Sequence, residues 1–220
     1  MNPIEYQEKM TKFWVDVLKP QPKYRTKKIN LVLIGGKAGV GKTTAAECLT
    51  DAMSMYNRLL VSHTAFAKPI KEIAYSIFHW YGNKDDKGRR LLQVIGTEAG
   101  REYNENIWVE YLENNELSSL FPNNFVFVDD WRFPNEKYYF EKNYLFDLTT
   151  IRIENDRDKL PQNTSTHVSE ISLPSAEIEN LVYNKDSYYN FSVFNNGTIE
   201  EFYKKLDNVV SYLSTKVIEY

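Results

Sequence analysis

The chain has 220 residues, 42 % hydrophobic and 26 % charged, a balance that can bury one core with an inserted subdomain or two small ones. Its formal net charge of −3 argues against duplex nucleic acid, which is usually met by a clearly basic face. The single cysteine, Cys48, excludes an intramolecular disulfide and fits a reducing, cytoplasmic compartment, while the longest apolar run, Leu31 to Ile34, is too short to cross a membrane.

In chain order, residues 4–18 carry Ile4, Met10, Phe13, Trp14, Val17 and Leu18 at helical spacing, ended by Pro20 and Pro22. The acids and lysines among them are foreign to a signal peptide. A basic connector then leads to INLVLIGG, a β-branched run that reads as a buried strand, so residues 1–27 stand apart from a main domain over 28–220. A helix is expected from about Lys42 to Met55 and a second strand over 58–64. After Pro69, the residues Ile70, Ile73, Ala74, Ile77, Phe78 and Tyr81 form an amphipathic helical stripe. Helical patterns return at 89–95 and 106–117, a third strand at 124–130 and a fourth within 144–153. Residues 154–168 are polar and unpatterned, as in a mobile loop or lid, and a helical stretch is expected near 174–182. A fifth strand at 189–194 precedes a last helix, where Thr198 and Glu201 have capping-box spacing. Strands alternating with helices predict a parallel α/β sheet, whose ligands sit beyond the carboxyl ends of the strands.

One of those ends is informative. Gly36-Lys37-Ala38-Gly39-Val40-Gly41-Lys42-Thr43 fits G-x-x-x-x-G-K-[ST] between a strand and a helix. Its glycines let consecutive amides turn inward on a phosphate, and the helix start adds positive dipole. Lys42 is placed to bridge β- and γ-phosphates, and the Thr43 hydroxyl to ligate Mg²⁺. Asp129 and Asp130 end the third strand, where a carboxylate can hold a metal's water shell or a substrate, or simply cap a turn.

Arginine is unevenly spread: six of the eight lie between Arg89 and Arg157. Guanidinium groups bind phosphate as a bidentate fork, so the cluster favours a phosphorylated acceptor, although a solvated face gives the same pattern. A phosphate monoester is already a nucleophilic oxyanion at pH 7, and its kinase needs cations rather than a base.

The segments FAKPIKEIAYSIF (66–78), RRLLQVIGTEAGREYNENIWV (89–109), DDWRFPNE (129–136), HVSE (167–170) and NNGTIEEF (195–202), with the phosphate loop, resemble the bacteriophage deoxynucleoside monophosphate kinases in family order. The resemblance implies a P-loop kinase with a five-stranded parallel sheet, a helical monophosphate-binding insertion over 82–120 and a lid over 154–170. It implies transfer of the γ-phosphoryl of ATP, with Mg²⁺, to a deoxynucleoside monophosphate, in the cytoplasm of an infected cell. Ala38, Gly39, Val40, Gly41, Lys42, Thr43 and Thr44 would then cradle ATP. Phe66 and Lys68 would sit at the mouth of the monophosphate pocket, with Phe66 stacked on the base. Arg90, Gln93, Arg101 and Trp108 would line that pocket, and Asp130 and Arg132 would lie between donor and acceptor. Arg152 and Arg157 would belong to lid closure, and Asn195 and Gly197 would lie near adenine. The N-terminal helix and connector fall outside the resemblance and are left to packing or to self-association as a homodimer.

Plainer uses exist for several of these residues. Phe66, Trp108 and Cys48 are also ordinary core residues, and His63 an ordinary strand residue. Three scattered histidines and one cysteine make no zinc site. The rival functions are another P-loop small-molecule kinase, acting on a phosphomevalonate-like or dephospho-coenzyme-like acceptor, and a non-enzymatic ATP-binding switch.

Overall fold

The computed structural model describes residues 28–56, 60–83, 85–155 and 172–217. The expected N-terminal helix and connector, most of the expected lid, Arg157 and His167 lie outside the described residues. Five strands, β1 (Ile29–Gly35), β2 (Val61–Thr64), β3 (Phe125–Trp131), β4 (Phe146–Glu154) and β5 (Phe191–Phe194), form one sheet in the order β2-β3-β1-β4-β5. Every neighbouring pair is parallel.

Alternation along β1 assigns its side chains to two cores. Leu31 and Leu33 join Val126, Val128 and Trp131 on one face. Val32 and Ile34 join Phe127, Ile151 and Val193 on the other. The second face is covered by α1 (Lys42–Ser54) through Ala45, Leu49 and Met53, and by α6 (Ile199–Ser214) through Phe202, Leu206, Val209 and Leu213. With both faces covered, β1 is buried along its whole length, which is why its sequence is almost continuously apolar. The capping box forms as spaced: Thr198 Oγ1 accepts from the Glu201 amide, and the Glu201 carboxylate accepts from the Thr198 amide.

The first face is covered by α2 (Lys68–Phe78), α5 (Pro134–Glu141) and a helical segment inserted between α2 and β3. In that insertion α3 (Asp86–Gln93) continues into a π-helical stretch, Val94–Arg101, and α4 (Ile107–Leu112) into another, Glu113–Leu117. The expected pattern at 89–95 thus belongs to a longer helical stretch, and that at 106–117 matches its element in extent, each with a widened second half. The first π stretch packs against Trp108. Trp108 lies so close to Gly100 that an added Cβ would sit 2.6 Å from its ring, and its indole N–H donates to the Gly96 carbonyl at 2.8 Å. A wider turn leaves such a carbonyl accessible.

Two expectations are corrected. Residues 174–182 form no helix, because Asn180 exchanges backbone hydrogen bonds with Ser192 beside β5 and the Glu179 carboxylate accepts from the Phe194 amide. The stripe on α2 is core-facing only in its first half: Ile70 and Ala74 are buried, whereas Ile77, Phe78 and Tyr81 are exposed. Among the described residues no helix is long and apolar enough to cross a membrane.

Candidate functional site

The loop from Gly36 to Gly41 connects the carboxyl end of β1 to the amino end of α1. Gly36, Gly39 and Gly41 all have positive φ. Only glycine fits at two of these positions on packing grounds as well. A Cβ on Gly36 would sit 2.5 Å from the Ile153 carbonyl, and one on Gly41 2.7 Å from the Asn195 amide nitrogen. The Asn195 side chain donates to the Val40 carbonyl at 2.9 Å, so β5 buttresses the loop from behind. The N-cap residue of α1, Gly41, has no side chain to cap the helix, and the amides that open α1 stand at the curl of the loop. Lys42 is buried at its base, with its ammonium on the Lys37 carbonyl at 2.6 Å. The result is a cradle of amides and one cation with the shape and charge to take a polyphosphate.

The adjacent carboxylates ending β3 have different partners. Asp129 accepts from the Thr43 hydroxyl at 2.5 Å and lies 3.4 Å from His63 Nε2 on β2. Burial pushes its carboxyl up, but hydrogen bonds from His63 and Thr43, with the charges of His63 and Lys71, hold it below the ordinary carboxylate range. The same contact with Asp129 raises His63 above the usual imidazole value, although burial opposes the shift. Asp130 turns the other way and accepts the backbone amides of Phe66 and Ala67 at 2.7 and 2.9 Å. Burial raises its pKa despite those bonds. Thr43 and Asp129 therefore offer hard oxygen donors at the mouth of the cradle, a set suited to Mg²⁺.

Beyond Thr43 and Asp129 opens a cavity of about 680 Å³. Its floor is the exposed face of α2, with Lys68, Lys71 and Glu72, and its far wall carries Tyr75, Trp80 and Tyr81. Lys68 donates to Glu116 at 2.8 Å, and this hydrogen bond raises its pKa. Glu116 also accepts from Thr64 Oγ1 at 2.6 Å, so one acid ties the insertion to the carboxyl end of β2.

The residues expected in the site fall into three groups. The loop residues Ala38 to Thr44, together with Asn195, surround the cradle, and Thr43 and Lys68 also reach the cavity. Phe66 and Trp108 are core residues, 2 % and 5 % exposed, and neither offers a ring face to a base. Among the described residues, no arginine lines the cavity. Arg101 is paired with the buried Glu136 at 2.5 Å and lies over the Phe133 ring, and Arg152 is buried against Glu154 at 2.8 Å. Arg90 pairs with Glu98 on the surface at 2.5 Å. Gln93 is half-buried at the end of α3, and Gly197 lies in the turn before α6, where a Cβ would meet the Glu201 carboxylate. Arg132 is half-buried, its charge acting on Asp130 and its amide bonded to Glu136 at 2.8 Å. Sequence reasoning missed His63, Lys71, Tyr75 and Trp80. The Lys68–Lys71 spacing on one helical face was the available signal for the cations.

Fold and site together define an α/β P-loop domain. No protein-family model matches the chain, and no curated protein matches it. Among solved structures it is similar to a hexameric APS kinase from Thiobacillus denitrificans, with 11 % identity and a TM-score of 0.40 over 92 % of this chain. It spans 31 %, about a third, of that longer chain. It is also similar to a candidate kinase from Chloroflexus aurantiacus, with 12 % identity and a TM-score of 0.43 over 86 % of this chain and 96 % of that one. At this level of likeness the reading of the site rests on its own residues.

Proposed function

We propose that the chain is a phosphotransferase that moves the γ-phosphoryl group of ATP to a deoxynucleoside monophosphate. The observation that carries this reading is the adjacency of two compartments: the loop cradle closed by Thr43 and Asp129, and a cavity starting at the same two residues and floored by Lys68 and Lys71. A donor phosphate in the cradle and an acceptor phosphate near the lysines would meet across the Thr43–Asp129 pair.

Bound ATP would supply the transferable phosphoryl group, and Thr43 and Asp129 would hold a Mg²⁺ that offsets its negative charge. The chain's own groups position and stabilise. Loop amides and Lys42 hold the donor phosphates and the charge that spreads over the transferring group. Lys68 and Lys71 offset repulsion between the two anions, so that an acceptor oxygen can approach the γ-phosphorus in line with the leaving oxygen. A new phosphorus–oxygen bond forms to the acceptor, the bond to the β–γ bridging oxygen breaks, and ADP leaves. The acceptor phosphate needs no base, because its second pKa of about 6 leaves it ionised at pH 7. His63 keeps Asp129 oriented and anionic.

The test is ADP release from Mg-ATP with dTMP, dGMP, dCMP or dAMP, their ribonucleotide counterparts, or no acceptor. Release is expected only with an acceptor and is expected to favour deoxynucleotides. Lys42→Ala is expected to lower turnover at least ~10²-fold, the scale of losing one preorganised charge-stabilising donor, while circular dichroism stays unchanged. Near-normal turnover in that variant would refute the role of the loop, and silence with every acceptor would refute the reaction.

A further inference from the structure

We infer that Tyr75 and Tyr81 form the platform for the acceptor's base, with Trp80 completing the wall. This rests on the reading of the cavity as an acceptor site. Phe66, which the family resemblance placed on the base, is buried among core residues and leaves that role open. Three aromatic side chains that sequence spacing assigned to no ligand stand instead at the outer wall of the cavity.

Their placement matches the layout of a nucleotide. Lys68 and Tyr75 lie on one face of α2, seven positions apart, which at 1.5 Å per residue is about 10 Å along the axis. A phosphate near Lys68 and Lys71 would therefore leave the ring at the other end of the same molecule level with Tyr75. The chain then reverses. His79 takes a left-handed conformation at φ 52°, its amide bonds to the Tyr75 carbonyl at 3.2 Å, and Gly82 follows at φ 94°. The Trp80 indole N–H donates to the Asn83 carbonyl at 2.9 Å and pins the turn. This reversal brings Tyr81 back onto Tyr75 with ring centroids 5.5 Å apart and planes at 87°. One ring thus offers a face and the other an edge to a flat heterocycle.

Both rings are left open to solvent. Tyr75 is 60 % exposed on the polar face of α2, and Tyr81, just beyond the end of that helix, is 72 % exposed. Carrying this much aromatic surface at a cavity wall, held by a left-handed histidine, gains nothing in core packing. It is explained by a planar ligand that covers the rings. Stacking does not depend on which base is present, so the platform would accept several bases and reject acceptors that have none.

The experiment is calorimetric titration of the full chain with dTMP and dGMP against 2-deoxyribose 5-phosphate, which has the same phosphate and sugar without the base. The nucleotides are expected to bind about tenfold more tightly or better, the fold-change a stacked base contributes. Combining Tyr75→Ala with Tyr81→Ala is expected to bring nucleotide and sugar phosphate within about twofold of each other, and the two Tyr→Phe replacements to retain the difference. Both side chains are exposed, so the fold should survive. Equal binding of nucleotide and sugar phosphate by the unaltered chain would overturn the inference, as would a preference that persists in the double alanine variant. A tyrosine-dependent preference without acceptor-dependent ADP release would refute phosphoryl transfer and leave the platform standing. Release with a preference that ignores the tyrosines would refute the platform alone.

Discussion

Asp129 and Asp130 share a strand end, yet the pleat sends their side chains to opposite faces, one toward Thr43 and His63 and the other into the amides of Phe66 and Ala67. The sequence located the carboxylate pair, but which member faces the cradle depends on the register of β3 against β1, which residue identity alone does not encode. The His63 contact has a consequence for stability. Asp129, Glu47 and Asp130 surround the imidazole with negative charge, and its folded pKa lies above the unfolded 6.5. Its contribution is therefore complete below pH 6.5 and lost as pH rises through the folded value. Asp129 behaves oppositely, its contribution being present above 3.8 and lost as pH falls through its lowered value. In metal-free protein, urea stability is expected to decline from pH 6 to pH 8.5, and His63→Asn to flatten that decline; an equal slope in the variant would contradict the assignment. Glu136 is the second residue whose role emerges only in three dimensions. Burial pushes its carboxyl up to about 7 while Arg101 pulls it down, and its two oxygens take Arg101 and the amides of Arg132 and Phe133. Glu136→Ala would strand a buried guanidinium and free the turn that carries Arg132, at a cost of about 3–5 kcal/mol in urea unfolding. A loss under ~1 kcal/mol would mean that Arg101 finds water instead.

At the scale of elements, legibility followed the range of the interactions that decide the structure. The strand at 29–35, the helix after the loop and the capped final helix are set by local pattern and capping, and each forms close to its expected bounds. Thr198→Ala removes the cap hydrogen bond together with the hydroxyl's contact to Glu200, and is expected to cost about 1 kcal/mol, read as a lower thermal midpoint with unchanged sheet signal. An unaffected midpoint would show that solvent replaces the cap. The stretch at 174–182, expected as a helix, leaves Ile178 and Val182 exposed, and pairing beside β5 decides its backbone instead. In the insertion the pattern at 106–117 takes in the π stretch Glu113–Leu117, whereas the pattern at 89–95 stops short of Arg101 because a π turn breaks the 3.6-residue period. The apolar stripe of α2 was legible as a stripe, but not that only its first half meets the core while Ile77 and Phe78 stand exposed. A periodicity reports that a face is shared without naming what covers it.

For the molecule as a whole, the order β2-β3-β1-β4-β5 sets the carboxyl ends of β1, β2 and β3 side by side. This gathers the loop after β1, His63 and Thr64 of β2 and Asp129 of β3 around one opening, as expected for a parallel sheet whose ligands lie beyond its strand ends. The arginine concentration pointed to an anion, and the anions that three of these arginines meet are Glu98, Glu136 and Glu154 within the protein. Composition could not tell an internal pair from a ligand contact, because both use the same guanidinium chemistry. The cations at the cavity are lysines, a residue type so evenly spread in the chain that its count carried no signal. The central claim is that phosphoryl passes from the cradle to an acceptor in the adjoining cavity. It is tested most directly by following phosphorus NMR of Mg-ATP with a deoxynucleoside monophosphate and the full chain. Matched growth of ADP and deoxynucleoside diphosphate signals without inorganic phosphate, abolished by Lys42→Ala, is the expected outcome. Inorganic phosphate growing in place of the diphosphate, or a spectrum unchanged despite bound ATP, would contradict it.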